Sequence, residues 1–527
     1  MLRQRRPAPR EGPAEDESAA STWPNRPSSS PSSPSSSSSF LLARKCLLQL
    51  LGLVFFFAFL STAVQGPALI GADGLLPGKD HLARVHAHFR VREDDPIDGA
   101  ARLAAAAALP CFWHWVPFTD TALVVMSGSG ALMGLLLALL PHHVACAPLL
   151  ALLWTMQLSL VAVGQTFWGF GWESQLLETT FLAVFLAPLK PGTLLDTRPH
   201  WLNVFLFRFL LARIMLGAGL IKLRSHDSCW TELRCMDTFY ETAPEPNAVS
   251  WFMHNLPAWV HTCEVAVNHM VELAVPLLCL VPVRAVRRFA GIVNVAFQLI
   301  LCAVSNLSFL NHLTIVPAVA LLDDTLLAPL HASATLARVQ RARPVSRMRT
   351  VTAVLVTALV AVLARQPLAN LVSPHQVMNT SFDAFRLVNT YGAFGTVSKV
   401  RREVVIQVTD DAPVRADSAW VDVEIRCKPG NVSAMPCQTS PYHERLAWQM
   451  WFAAMQRPEQ NGWLKTLMVH ILQSSPTAAR LTSLPLAHPT AVRAVLYDYR
   501  FTTWHAASGD WWTRQPLSLY IPPFQLK

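Results

Sequence analysis

The stretch Gly169-Phe-Gly-Trp-Glu-Ser-Gln-Leu-Leu-Glu178 and the apolar run 179–189 place two carboxylates at the mouth of a segment that otherwise belongs in hydrocarbon. A charged side chain in a membrane segment is costly, so it needs a partner or a task. The next apolar run, residues 201–223, carries several cations. We therefore expect intramembrane charge pairing among Glu173, Glu178, Arg208, Arg213 and Lys222.

Two interpretations of this pairing stay open. Buried ion pairs often specify geometry without doing chemistry, in which case the charges only orient two helices. Alternatively, Glu173, Glu178, Arg208 and Arg213 form the reactive cluster of a membrane-embedded enzyme that modifies a lumenal client. A faint resemblance in layout to the vitamin K-dependent carboxylase supports the second interpretation, but only as an analogy of architecture.

Composition excludes an ordinary soluble protein. Of 527 residues, 52% are hydrophobic and only 15% are charged, which indicates a polytopic membrane protein. The net charge of +9 arises from Lys and Arg in the N-terminal tail and in short loops, where positive charge sets membrane topology. No basic stripe with interleaved aromatic residues is present, so a nucleic-acid partner is not expected.

Nine apolar runs follow one another along the chain. They cover residues 46–64, 121–140, 147–163, 174–189, 201–222, 265–281, 289–304, 310–322 and 351–363. Several are shorter than the ~20 residues that cross a ~30 Å hydrocarbon core, so tilted or re-entrant segments are expected. The runs predict nine crossings, or seven or five if short runs form re-entrant hairpins.

Charge and composition predict three parts. Residues 1–42, polar and serine-rich, form a disordered cytosolic tail, and residues 43–366 form a multi-span bundle with lumenal loops 65–118 and 225–262. The basic loops around Lys190, Arg284 and Arg347 face the cytosol by the positive-inside tendency, which places the C-terminus in the lumen. Residues 367–527 then form a lumenal domain.

In the C-terminal part of the chain, long apolar runs give way to shorter patterns typical of strands and surface helices. Residues 402–410, 419–427 and 493–502 alternate in the manner of strands, whereas residues 442–455 and 463–473 have helical spacing. The fold class expected is therefore a polytopic α-helical membrane bundle with a C-terminal lumenal domain rich in strands and carrying one or two helices.

Two features indicate an oxidising, lumenal environment. Cys229 with Cys235, and Cys427 with Cys437, are local pairs that can close as disulfides, as structural links or by exchange with cysteines of a client. Asn379-Thr-Ser and Asn431-Val-Ser are glycosylation acceptor patterns, whereas Asn306-Leu-Ser lies too near the membrane to be used.

Catalytic and metal-binding motifs are missing. The chain has no Gly-x-Ser-x-Gly, no phosphate-cradling glycine loop and no zinc-protease helix, and its histidines are scattered. We expect no cofactor, no metal and no enzymatic activity, which leaves a folding or assembly factor as the main hypothesis.

Long sequence blocks resemble the lipase maturation factor family from about residue 46 to the end. Besides the opening stretch, they are Arg213-Ile-Met-Leu-Gly-Ala-Gly-Leu-Ile-Lys222, Cys229-Trp-Thr-Glu-Leu-Arg-Cys-Met-Asp237, Tyr240-Glu-Thr-Ala-Pro-Glu-Pro-Asn247, Gly392-Ala-Phe-Gly395, Cys427-Lys-Pro-Gly430 with Pro436-Cys437, and Ser440-Pro-Tyr-His443. The resemblance implies an endoplasmic-reticulum membrane protein that lipases, lipoprotein lipase foremost, need to become folded, active dimers and be secreted. The modest length after His443 is similar to the factor 1 branch rather than to the longer-tailed factor 2 branch.

Overall fold

The computed structural model describes residues 39–91, 99–504, 506 and 508–526, so most of the expected tail lies outside the described residues. In chain order the helices are α1 (Leu41–Ile70), α2 (Gly78–Phe89), α3 (Gly99–Ala108), α4 (Asp120–Leu139), α5 (Pro141–Val144), α6 (Ala147–Val163), α7 (Gly171–Leu186), α8 (Trp201–Arg224), α9 (Ser228–Thr231), α10 (Met236–Thr242), α11 (Ala248–His254), α12 (Ala258–His269), α13 (Val275–Leu278), α14 (Arg284–Val304), α15 (Leu310–Ala318), α16 (Asp324–Leu327), α17 (Ser333–Gln340), α18 (Arg347–Leu363), α19 (Arg365–Val372), α20 (Arg445–Ala453), α21 (Gly462–Leu472) and α22 (Pro476–Leu481). The strands are β1 (Arg401–Thr409), β2 (Val421–Ile425), β3 (Thr482–Ser483), β4 (Ala491–Phe501) and β5 (Trp512–Phe524).

Each of the nine apolar runs is largely helical, which confirms the helical membrane bundle. Four helices in the described residues, α1, α4, α8 and α14, are long and apolar enough to cross a membrane, or six if each of two bent helix pairs counts as one span. Helices α6 and α7 have 17 and 16 residues, which is short of a ~30 Å core. The number of crossings and their direction stay predictions.

The first helix begins earlier than the apolar run that predicted it. The carboxylate of Asp324 accepts hydrogen bonds from the backbone N–H groups of Leu41 (2.9 Å) and Leu42 (2.8 Å), which extends α1 backwards. Arg44, which precedes the apolar run 46–64, therefore lies inside the helix. It is buried and donates to the carbonyl oxygen of Thr197 at 2.8 Å.

Helices α1 and α4 approach closely through glycine. A Cβ atom on Gly134 would lie 2.6 Å from the backbone nitrogen of Phe56, and one on Gly52 would lie 2.7 Å from the carbonyl oxygen of Gly134. Small residues allow such backbone contact between membrane helices, where packing replaces the hydrophobic effect.

The C-terminal domain contains an antiparallel sheet of order β3-β2-β1-β4-β5. β1 lies at its centre and pairs Ile406 with Val423 on one side and Val405 with Val495 on the other. Nearly every residue of β1 is buried, because helices cover one face of the sheet and an aromatic cluster with Phe501 and Trp512 covers the other.

The predicted strands and helices of this domain are confirmed, but β3, β5 and the short helix α22 were missed. β3 has two residues, too few for a visible pattern. β5 contains Pro516, Pro522 and Pro523, which suggest a loop. Proline is tolerated there because β5 is an edge strand, where an N–H facing away from the sheet has no ladder bond to make.

Candidate functional site

Glu178 and Arg213 form a buried ion pair between the neighbouring helices α7 and α8. The second oxygen of Glu178 accepts hydrogen bonds from the Asn389 backbone N–H (2.9 Å), the Asn389 side-chain amide (3.1 Å) and the Tyr391 hydroxyl (2.6 Å). Arg213 in turn donates to the carbonyl oxygen of Asn389 at 2.8 Å. The segment that leads into the sheet domain is therefore bonded directly to the charge pair.

Glu173 has a partner outside the bundle. We expected a cation of the run 201–223, yet the Glu173 carboxylate lies 2.8 Å from Nη1 of Arg445 at the start of α20, and both side chains are fully buried. The other carboxylate oxygen accepts from Gln157 at 2.6 Å. Arg445 also donates to the carbonyl oxygen of Phe167, and its guanidinium lies 4.0 Å from the ring centre of Trp168. This ion pair links the bundle to the sheet domain.

Lys222 and Arg208 differ in their partners. Lys222 contacts both carboxylate oxygens of Glu272, at 2.6 and 2.5 Å, within the π-helical turn between α12 and α13. Glu272 was not among the predicted partners, although an acid inside the run 265–281 is the same signal that marks Glu173. Arg208 donates to the carbonyl oxygen of Ala320 at 2.9 Å and has no acidic side chain within ion-pair distance among the described residues.

A further buried charge group ties the sheet to residues 225–262. Arg401 lies 2.6 Å from Glu403, and Lys428 lies 2.7 Å from the other oxygen of Glu403. Arg401 also donates to the carbonyl oxygens of Glu241 (2.8 Å) and Pro244 (3.0 Å). The group was not predicted, because Glu403 lies in the predicted strand 402–410, whose side chains were expected to alternate between core and solvent, and Arg401 precedes that strand.

Both cysteine pairs are joined as disulfides. Cys229 and Cys235 are buried with Trp230, Phe239 and Val265, so their sulfur atoms are shielded from a client. Asp227 lies close enough to complete a three-ligand metal group, but the sulfur atoms are bonded to each other. The geometry favours a structural link.

The Cys427–Cys437 disulfide closes a surface loop next to a cavity of about 440 Å³, whose lining includes Arg426, Met435 and Arg480. Asn431 lies in this loop and is exposed, and Asn379 is exposed as well. Asn306 is buried, and its side chain bonds to the Cys437 carbonyl oxygen and the Thr439 N–H. Asn306 is therefore occupied in the fold, whereas Asn379 and Asn431 can be reached from solvent.

His443 lies in a box of aromatic rings beside Arg445. Its ring centre is 4.8 Å from that of Phe170, 5.1 Å from Trp172 and 6.0 Å from Trp448. Burial, and secondly the positive charge of Arg445, hold the pKa of His443 well below its ordinary value. The imidazole is therefore neutral and packs as an aromatic side chain.

Two family models match the chain: the lipase maturation factor transmembrane domain over residues 42–329, and the lipase maturation factor C-terminal domain over residues 387–522. The chain belongs to the lipase maturation factor family. Lipase maturation factor 1 of Bos taurus is 42% identical over 92% of this chain and 89% of its own length, and that of Mus musculus is 40% identical over 93% and 88%. No solved structure matches the chain.

Lipase maturation factor 2 of Homo sapiens is 28% identical over 92% of this chain and 83% of its own length. The chain is thus more similar to the factor 1 relatives, which confirms the branch implied by the resemblance. Two of the family blocks quoted from the sequence supply Glu173, Glu178 and Arg213, which lie where bundle and sheet domain join. We call this site the junction, formed by Glu173, Glu178, Arg213, Asn389, Tyr391 and Arg445.

The junction is a set of separate, closed contacts. Glu173 binds Arg445, Glu178 binds Arg213, and Arg208 bonds to a backbone carbonyl, so the four charges of the enzyme hypothesis do not form one cluster. A cavity of about 520 Å³ lies nearby, but amides and aromatic rings such as Gln449, Phe452 and Trp463 line it, and none of these four charges does. This geometry suits a rigid joint between two domains.

Proposed function

We propose that this protein is a membrane factor of the endoplasmic reticulum that lipases need to fold, assemble as dimers and mature for secretion. Lipoprotein lipase and related dimeric lipases are the proposed clients, held partly folded by the sheet domain on the lumenal side. The observation that carries the proposal is the match of both family models, one to the bundle and one to the sheet domain.

The proposed orientation has the N-terminus in the cytosol and the C-terminus in the lumen. Arg284, Arg287 and Arg288, which we call the arginine cluster, bind Asp323 at one end of α14. Near the other end, Asn306 bonds to Cys437, whose disulfide loop carries Asn431. Positive charge favours the cytosol, and disulfides and glycans form in the lumen, so the two signals support one orientation.

The enzyme alternative gains no support from this geometry. A reactive carboxylate needs a position where a substrate atom can approach it. Glu173 and Glu178 are at most 1% exposed and are bonded on both oxygens. We propose a binding and assembly role for this reason.

Expression in cells that lack their own lipase maturation factors tests the proposal. We expect the protein to raise the secreted activity of co-expressed lipoprotein lipase several-fold. Glycosylation tests the orientation separately. Enzymatic removal of N-glycans should shift the electrophoretic mobility of the protein but not that of a variant with Asn379→Gln and Asn431→Gln. Normal abundance in the endoplasmic reticulum without any gain in lipase activity would contradict the function. Absence of glycans at both positions, with a C-terminal tag open to protease outside sealed microsomes, would contradict the orientation.

A further inference from the structure

Helix α11 is a short helix fastened to the end of α14 opposite the arginine cluster. The Asn247 side chain donates to the carbonyl oxygen of Ala303 at 3.0 Å, and the Ser250 hydroxyl donates to that of Val304 at 2.7 Å. α14 is long and apolar enough to cross a membrane, and a crossing by α14 would place α11 at the level where this helix leaves the bilayer.

The outer side of α11 is apolar and continues onto a face that is itself exposed and apolar. Val249 and Phe252 are 40% and 45% exposed, and Trp259, at the start of α12, is 70% exposed. Further along the same helical segment, Val267 and Met270 are also exposed. In a membrane bundle an exposed apolar helix face contacts lipid, which makes the bilayer the expected neighbour of the exposed residues of α11.

The sheet domain adds a tryptophan to this surface. Trp504, in the connection between β4 and β5, is 50% exposed, and its ring centre lies 5.2 Å from that of Trp251 and 5.5 Å from that of Phe252. Its indole N–H donates to the carbonyl oxygen of Asn255 at 2.7 Å. Trp251 donates to the Thr502 hydroxyl at 3.1 Å, so Thr502 and Trp504 are both bonded to the segment that contains α11.

We propose that Val249, Phe252, Trp259 and Trp504 form a membrane-contact patch, through which the sheet domain itself touches the boundary between lipid headgroups and acyl chains. Tryptophan prefers this boundary because its ring is apolar and its N–H is polar. An apolar client segment is the competing occupant. Continuity with Val267 and Met270, the exposed apolar residues of the predicted membrane run 265–281, favours the bilayer, because a client at this position would have to displace lipid as well as water.

Spin labels in lipid nanodiscs test the patch without any client present. One nitroxide side chain is introduced genetically at position 504, 252 or 519 of the full-length chain, and its collisions with oxygen and with a water-soluble nickel chelate are measured. Leu519 is the matched control, because it is 54% exposed on β5 of the same domain. Oxygen concentrates in acyl chains and the chelate stays in water, so their ratio reports contact with lipid.

We expect labels at positions 504 and 252 to show an oxygen-to-chelate collision ratio several-fold higher than the label at position 519. Equal ratios at 504 and 519 would overturn the proposal, even if the label at 252 were protected, because the sheet domain would then not reach the bilayer. Protection at 504 that arises only after purified lipase is added would also overturn it and would identify a client surface. The test does not depend on lipase maturation, so it can fail while the proposed function stands.

Discussion

At the scale of single residues, His443 shows how burial changes an ordinary side chain. The ring is fully buried, and neither ring nitrogen has a hydrogen-bond partner among the described residues. A charge there would lie beside Arg445 in an apolar box, which is why the pKa is held far below 6.5. The His443 imidazole therefore stays neutral in the folded protein at a pH where the same imidazole binds a proton in the unfolded chain.

This difference makes stability depend on pH. Below its ordinary pKa of 6.5, His443 binds a proton in the unfolded chain only, so stability falls as pH decreases, by about 1.4 kcal/mol per pH unit for one proton. We expect His443→Phe to lose less thermal stability than the native protein between about pH 7.4 and about pH 5.5. The measurement is the melting temperature in micelles, with His375→Phe at an exposed position as control. Parallel pH curves for the native protein and His443→Phe would refute the explanation.

At the scale of elements, α4 places two glycines in opposite environments. Gly134 lies against the backbone of α1, whereas a Cβ atom on Gly128 would meet nothing within 4 Å. The same substitution therefore has opposite physical consequences at two positions of one helix. At Gly134 the added methyl group must push two backbones apart, while at Gly128 it only reduces the freedom of the unfolded chain.

We expect Gly134→Ala to destabilise the bundle by about 1–3 kcal/mol through overpacking. Gly128→Ala should be neutral or stabilising by up to about 1 kcal/mol, because alanine favours helix more than glycine does. Thermal unfolding of the two purified variants, together with their abundance in cells, gives the comparison. Equal effects at the two positions would mean that α1 and α4 do not pack through glycine.

At the scale of the whole molecule, the bundle and the sheet domain share buried charges. Glu173 belongs to the bundle and Arg445 to the sheet domain, so removal of either domain takes away the counter-ion of the other. Breaking a buried pair from one side costs about 3–5 kcal/mol. Loss of the sheet domain should therefore destabilise the bundle as well as remove a binding surface.

This coupling predicts that Glu173→Gln changes protein abundance in opposite directions in the full-length chain and in a truncated chain. In the full-length chain, Glu173→Gln leaves Arg445 unpaired and should lower abundance. In a chain that ends at His443, the same substitution removes an unpaired carboxylate and should raise abundance. Glu178→Gln is the matched control and should lower abundance in both chains, because Arg213, Asn389 and Tyr391 remain in each. An equal effect of Glu173→Gln in the two chains would show that Arg445 does not compensate Glu173.

Local patterns in the chain were enough to predict the helical bundle, three of the strands and two helices of the C-terminal domain, whereas the family was indicated by the resemblance of long sequence blocks. Helical and strand periodicity, apolar length and charge at run ends are properties of neighbouring residues, so they can be recognised without coordinates. The same local patterns indicated that Glu173 and Glu178 need partners, because an unpaired carboxylate in hydrocarbon is unfavourable whatever fold the rest of the chain adopts.

The identity of the partners depended on the fold in three dimensions. Arg445 is 272 positions away from Glu173, and Asn389 is 211 positions away from Glu178. No local pattern connects such distant residues. β5, with its prolines, likewise becomes a strand only because β4 is beside it and its outer edge is free. A charged residue in an apolar run predicts that a counter-charge is needed, but only the packing of the domains brings a particular counter-charge within reach.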